Sequence, residues 1–361
     1  MKVMLLAGAN SIHTIKWVNG LASRDVEVHL ISVHSIAEEL DARVTVHVLP
    51  YLAPWGYLTS VFALRRLLER IKPDLLNAHY ATGYGLLARL CGFKPLLLSV
   101  WGSDVYDYPR KSFLHRALLK GNLKAATALA STSHCMARET AKTFAHDQVF
   151  VTPFGVDENV FTPVQSISTK RGVVIGTVKT LKDKYGIDTL IEAFALVCAQ
   201  VGNTIHLTLE ITGGGPDLPK LQSLAQRLGV DEQVIFHGQL PHTRVPEMLN
   251  RLDVYVALSR LESFGVAILE ASACEKPVVV SDADGPAEVT LDGKTGFIVP
   301  RNNPAAAAEA ILTLVRDPAL RLRMGQAGRA HVLAHYTWEK SIDIMLDAYR
   351  ETVVQYKNQQ Q

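Results

Sequence analysis

The chain has 361 residues, 48% of them apolar and 20% charged, with a formal net charge of +2 at pH 7. That length exceeds one typical domain and predicts two, in a globular protein. A charge so close to balance makes no global demand for nucleic acid, and none is expected as a partner.

The start, MKVMLLAGAN, has too short an apolar run for a signal peptide and reads as a first buried strand. Strands are predicted at Val3–Leu6, Val26–Ser32, Val44–Val48, Leu75–Ala78, Leu96–Val100 and Ala128–Ser131. Helical periodicity falls between them, at His13–Arg24, Tyr57–Ile71, Tyr84–Leu90 and Ser112–Ala125. Such alternation argues for a parallel, doubly wound sheet. The pattern breaks at Val151–Pro163, rich in turn residues, and at the polar stretch Gln165–Arg171, where a linker is expected. It then restarts. Strands are predicted at Val173–Val178, Ile205–Thr212, Val234–His237, Val254–Leu258, Pro277–Val280 and Gly296–Val299. Helices are predicted at Gly186–Gln200, Leu218–Leu228, Val245–Leu252, Val266–Cys274 and Pro304–Val315, then a long amphipathic helix, Trp338–Tyr356, that frays in QYKNQQQ. No stretch reaches the ~20 apolar residues of a membrane span. The four cysteines are scattered without CxxC spacing and read as reduced residues of a cytosolic protein.

The chemistry-bearing residues gather at predicted strand ends, where doubly wound sheets bind ligands. Glu262 lies in the turn after Val254–Leu258, and Glu270 lies on the helix that follows. Phe264, Gly265 and Val266 open that helix, where unpaired N–H groups and the positive dipole end suit an anion. Either carboxylate alone reads equally as a cap or a solvated side chain. Glu270, however, sits between Val-Ala-Ile-Leu and Ala-Ser-Ala-Cys, and a glutamate on a buried helix needs a partner. Lys179 and Lys184 leave the strand Val173–Val178 and have the charge to neutralise a diphosphate, or are ordinary loop cations. Gly213-Gly214-Gly215-Pro216 reads as a tight turn or as close backbone approach to a ligand. It is neither GxGxxG nor a P-loop.

In the first half, His79 ends the strand Leu75–Ala78 and reads as a base, a hydrogen-bonding group or a structural histidine. Asp104 follows the next strand, as a site carboxylate or a cap. Gly8-Ala9-Asn10-Ser11 and His13 join the first strand to the first helix, as a phosphate loop or a plain N-cap. Asp282-Ala283-Asp284 spells a metal-binding D-x-D but is read as a turn before a helix at Pro286, so no metal is expected. Arg65, Arg66, Arg70, Lys72, Lys111, Arg116, Lys120 and Lys124 form a basic set interleaved with Leu67, Leu68, Phe113, Leu114, Leu118 and Leu119. It suits either an anionic leaflet or plain solvation.

Glu262-Ser263-Phe264-Gly265 … Glu270-Ala271 resembles the E-x7-E signature of the retaining family-4 glycosyltransferases. So, by family landmark, do Lys179 … Lys184-Tyr185-Gly186, Gly213–Pro216, Phe236-His237-Gly238, Pro286–Glu288, Gly293–Pro300, the linker's FGVDENVFTP and Tyr336–Trp338. Ser11–Trp17, Ala78-His79-Tyr80 and Trp101–Asp104 resemble members that build O-antigen or capsular repeat units on polyprenyl-diphosphate carriers.

The resemblance implies an α/β GT-B fold: two doubly wound Rossmann-like domains facing across a cleft. Residues 1–164 would take the acceptor and 165–339 the nucleotide sugar, with a last helix at about 340–361 crossing back to the first domain. It implies a hexosyltransferase that moves a sugar from a UDP-sugar, UDP-GalNAc or another UDP-hexosamine, to a lipid-diphosphate-linked saccharide. The work would be done at the inner face of the cytoplasmic membrane, without metal or other cofactor. Glu270 would hold the ribose and Glu262 the sugar hydroxyls. Lys179 and Lys184 would hold the diphosphate, helped by Phe264, Gly265 and Val266. His79 would bond the transferred sugar. Gly8, Gly213, Gly214 and Gly238 go with the donor, and His13 and Asp104 with the acceptor. Lysine replaces the family's usual arginine at Lys179, a point charge without the bidentate fork. Trp101 replaces a common histidine. The rival expectations are a non-hydrolysing sugar-nucleotide epimerase and an inactive nucleotide-sugar-binding protein.

Overall fold

A computed structural model of the chain describes residues 1–36, 39–164, 172–202 and 204–361. Two compact units emerge: Met1–Pro153 with Glu339–Gln361, and Phe154–Trp338. Most of the turn-rich stretch Val151–Pro163 therefore belongs to the second unit, and the polar stretch Gln165–Arg171 lies outside the described residues.

The first unit carries β1 (Lys2–Leu6), β2 (Glu27–Ser32), β3 (Thr45–Val48), β4 (Leu75–His79), β5 (Leu96–Val100), β6 (Ala128–Ser131) and β7 (Val149–Val151). They form one sheet in the order β3-β2-β1-β4-β5-β6-β7, parallel at every pairing. The second carries β8 (Gly172–Val178), β9 (His206–Thr212), β10 (Val234–Gly238), β11 (Val254–Ala257), β12 (Val278–Ser281) and β13 (Gly296–Val299). Their order is β10-β9-β8-β11-β12-β13, again parallel. Central strands such as β1, β5 and β12 are buried on both faces, which is why they read as unbroken apolar runs.

The strand order also locates a crevice in each unit. The chain winds outward from β1 to β3, then restarts at β4 on the other side of β1; it repeats this from β8 to β10 and restarts at β11. Ligands bind outside the carboxyl ends of the strands at such reversals. The loops after β1 and β8 hold Gly8 and Lys179, His79 ends β4, and Glu262 follows β11.

Several elements differ from expectation. The predicted helix Tyr57–Ile71 is two helices, Gly56–Thr59 and Val61–Ile71, meeting at Ser60. β7 and the helices Ser103–Tyr106 and His134–Ala141 were not predicted; each is too short to present a clear period. The helix Pro318–His335 escaped prediction because its polar and apolar residues hardly segregate and it contains Gly325 and Gly328. Those glycines let it pack closely: a Cβ on Gly325 would lie 2.1 Å from the Glu275 carbonyl oxygen. The last helix runs Trp338–Gln360, so the residues expected to fray continue it.

Candidate active site

Lys179 follows β8 and Glu262 follows β11, the two strands that flank the reversal in the second sheet. The Lys179 ammonium contacts Glu262 Oε1 directly, and both side chains are nearly buried, 11% and 10% exposed. Glu262 Oε2 accepts from Ser259 Oγ at 2.7 Å. Burial by itself works to lower the Lys179 pKa, but the Glu262 carboxylate and its hydrogen bond outweigh it, so the ammonium is held above its usual range.

Lys184 belongs to the same cluster through Tyr185. The Nζ atoms of Lys179 and Lys184 each stand 5.1 Å from the Tyr185 ring centroid, so one aromatic ring serves both cations. The Lys184 carbonyl accepts from the backbone N–H of Arg260 at 2.8 Å and of Leu261 at 3.2 Å. Arg260 binds Asp188 at 2.7 Å. The loops after β8 and β11 are thereby tied together.

The glycine triplet serves the protein's own backbone. Gly213 has φ +143°, and a Cβ there would fall 1.9 Å from the Lys179 carbonyl oxygen. Its N–H donates to the Gly238 carbonyl at 2.8 Å, and Leu181 N–H donates to the Gly214 carbonyl at 2.9 Å. The turn thus braces the lysine loop from behind.

Phe264 is buried against Phe154 and Tyr336, with ring centroids 6.3 and 6.1 Å away. Gly265 caps the helix Val266–Ala273 at φ +114°. Beneath this start lies Gly285: a Cβ on it would sit 2.3 Å from the Phe264 nitrogen. Glu270 is buried on that helix, and its required partner is His242, whose Nε2 lies 3.0 Å from Oε1. Buried Tyr255 links the set. Its hydroxyl is pushed up to about 12, first by burial, with Lys179 opposing and the charges of Glu262 and Glu270 adding. Of the D-x-D pair, Asp282 accepts from Arg301 Nε at 2.9 Å and Asp284 opens the helix Asp284–Val289.

In the first unit His79 ends β4 and is 1% exposed. Its Nε2 is 2.8 Å from Asn77 Oδ1, and its ring centroid is 4.6 Å from that of Trp101. Burial lowers its pKa to about 3, so the imidazole is neutral. Trp101 also meets His13 at 6.0 Å and Tyr80 at 5.9 Å, edge to face. Tyr80 has φ +74°, a sparsely populated conformation of the kind that concentrates at binding sites. Asp104 is buried, and its carboxylate accepts from the N–H groups of Ala81 (2.9 Å), Gly102 (2.8 Å) and Trp101 (3.1 Å). It pins the loop after β5 to the loop after β4. Desolvation raises its pKa, and these backbone donors oppose the rise. Gly8 lies in this unit beside Asn10, His34 and Tyr84.

His242, Tyr185, Asn77 and Gly285 carry no sequence signal of these contacts. His242 flanks an element that was read correctly, but its partner Glu270 lies on a different helix.

Two parallel doubly wound sheets, each with its polar residues at the reversal, define the GT-B architecture. Residues 2–133 match the glycosyl transferase 4-like family and residues 162–331 the glycosyl transferases group 1 family. The second half of the chain is thus a group 1 glycosyltransferase domain and the first half a glycosyltransferase 4-like domain. A Methanocaldococcus jannaschii glycosyltransferase is 24% identical over 95% of both chains. A GDP-mannose-dependent α-(1-6)-phosphatidylinositol monomannoside mannosyltransferase of Mycolicibacterium smegmatis is 35% identical over 52% of each chain, so this chain spans about half of that relative's length. Anabaena HepE, solved with UDP and glucose, has the same fold at a TM-score of 0.79, with 18% identity over 97% of this chain and 100% of that one.

Proposed function

We propose that the chain is a retaining, metal-independent glycosyltransferase that moves a UDP-linked sugar, UDP-GalNAc or another UDP-hexosamine, onto a lipid-diphosphate-linked saccharide of O-antigen or capsular polysaccharide. The observation that carries the reading is the Lys179–Glu262 contact with Lys184 across Tyr185. One carboxylate suited to sugar hydroxyls and two cations suited to a diphosphate gather around Tyr185 at the carboxyl ends of β8 and β11. Glu270, held by His242, is suited to ribose hydroxyls.

The chemistry asked of these groups is electrostatic. Charge grows on the departing diphosphate, and the two ammonium groups and the helix N–H groups stabilise it without reorganising. Retaining hydrolases use a carboxylate nucleophile about 5 Å from its acid partner. Glu262 is engaged by Lys179 and Ser259, and Glu270 by His242, so neither is assigned that task. Attack from the leaving-group face is the consistent alternative, with the diphosphate taking the acceptor proton.

The acceptor side and an association with the inner membrane face rest on the first unit. Its eight basic residues named above are exposed. Leu68 and Leu119 of the interleaved apolar set are core, but Phe113 is 79% and Leu114 64% exposed. Trp55 and Phe62 of the same unit are each 73% exposed. No helix among the described residues is long and apolar enough to cross a membrane. Such a surface suits an anionic leaflet.

A second donor, GDP-mannose, is favoured by the 35%-identical mannosyltransferase, because the diphosphate groups do not distinguish the base. Purified protein incubated with a UDP-hexosamine panel or GDP-mannose, and a short polyprenyl-diphosphate sugar, tests both. Transfer with retained anomeric configuration, undiminished in excess EDTA, is expected from one UDP-hexosamine. Transfer from GDP-mannose alone overturns the UDP assignment, and its abolition by EDTA overturns metal independence. Donor consumption without any acceptor favours the epimerase.

A further inference from the structure

The buried amide of Asn77 decides which nitrogen of His79 carries the proton. Asn77 is fully buried on β4. Its Nδ2 lies 3.0 Å from the Leu97 carbonyl oxygen and 2.9 Å from Ser99 Oγ. A carbonyl only accepts, so Nδ2 must face Leu97 and Oδ1 must face the other way. Oδ1 then meets two groups: Tyr349 Oη at 2.9 Å, from the last helix, and His79 Nε2 at 2.8 Å. An oxygen with only lone pairs needs donors, so the phenol and Nε2 both donate to it. A neutral imidazole with its proton on Nε2 has a bare lone pair on Nδ1. That atom is buried and has no hydrogen-bond partner among the described residues. A buried acceptor left without a donor is costly, and such orphans accompany ligand sites.

We infer that Asn77 and Tyr349 are positioning residues that hold His79 as its Nε2–H tautomer, so that Nδ1 is an acceptor for a hydroxyl of the bound saccharide. The inference rests on the glycosyltransferase reading for the hydroxyl, but the tautomer follows from the geometry alone. In this state His79 offers no proton to a leaving group and no charge to a phosphate. Its part is to accept and orient an O–H. The last helix, far away in sequence, sets this through one phenol.

Long-range proton–nitrogen correlation spectra of the full chain with labelled histidines test the assignment without substrate. One imidazole with a protonated Nε2 and a bare Nδ1, unchanged from about pH 5 to about pH 8, is expected. A protonated Nδ1, or an imidazolium in that range, overturns it. Tyr349→Phe removes one donor with little change of shape. It is expected to lower kcat for transfer about three- to tenfold, with UDP affinity changed less than about twofold. Asn77→Asp puts a carboxylate against Nε2 and favours the imidazolium. Transfer should then recover only as pH rises, a limb that the unaltered enzyme lacks; a variant with the unaltered pH profile overturns the role. If Asn77→Asp fails to fold, Tyr349→Phe and the spectra decide. A chain with the expected tautomer that transfers no sugar overturns the functional reading and the hydroxyl contact with it. Transfer through a protonated Nδ1 overturns the positioning role alone.

Discussion

Glu270 is the residue whose need was plainest. A carboxylate on a helix whose neighbours are Leu269 and Ala271, both fully buried, had to find a partner, and His242 supplies it. If Glu270 also holds the ribose, Glu270→Ala should weaken UDP binding about ten- to hundredfold, the worth of a hydrogen bond to a charged group. Calorimetric titration with UDP measures this, and unchanged affinity removes the ribose role. His79 makes a prediction about acid. Its pKa falls from 6.5 to about 3 on burial. Between those values the unfolded chain binds a proton that the folded one refuses, so stability is full above pH 6.5 and declines as pH falls through this window. The slope reaches about 1.4 kcal/mol per pH unit. Denaturant unfolding of the unaltered chain and His79→Gln across this range should differ in slope by that amount; equal slopes would mean His79 titrates normally. The spacing of Lys179 and Lys184 was legible in sequence. Their common contact with Tyr185 was not, because nothing in the run Lys-Tyr-Gly says that the ring turns toward both ammonium groups.

At the scale of elements, every strand but β7 was legible, while the helices Ser103–Tyr106, His134–Ala141 and Pro318–His335 were not. β1, β4, β5, β8 and β11 are apolar runs bounded by turn residues, and that pattern survives any tertiary context. The helix Pro318–His335 was hidden because its glycines are chosen for contact with Glu275 and Ser272, not for helix propensity. The last helix presents the clearest energetic test. It buries Ile342, Met345, Leu346 and Tyr349 within the first unit. At about 1.5–3 kcal/mol for each large side chain, these four contribute on the order of 6–12 kcal/mol, comparable with a domain's whole stability. Deleting Glu339–Gln361 should therefore abolish the first unit's thermal transition while leaving the second unit's. Scanning calorimetry reads both, and two intact transitions would show that the helix is dispensable to the fold.

At the scale of the molecule, the sequence by itself determined the class: two α/β units with parallel sheets, and the loops at which polar residues collect. Those properties are local, since apolar runs and helical periods are read within a dozen residues. Only the tertiary structure decided the strand order, with its reversals between β1 and β4 and between β8 and β11. The reversal brings Lys179 against Glu262 across 83 residues of chain, and another fold-level contact brings Tyr349 to Asn77 across 272. Side-chain partners at such separations are chosen by which strands lie side by side and which helix covers them. Those are properties of the packed sheet, and no stretch of the chain taken alone contains them.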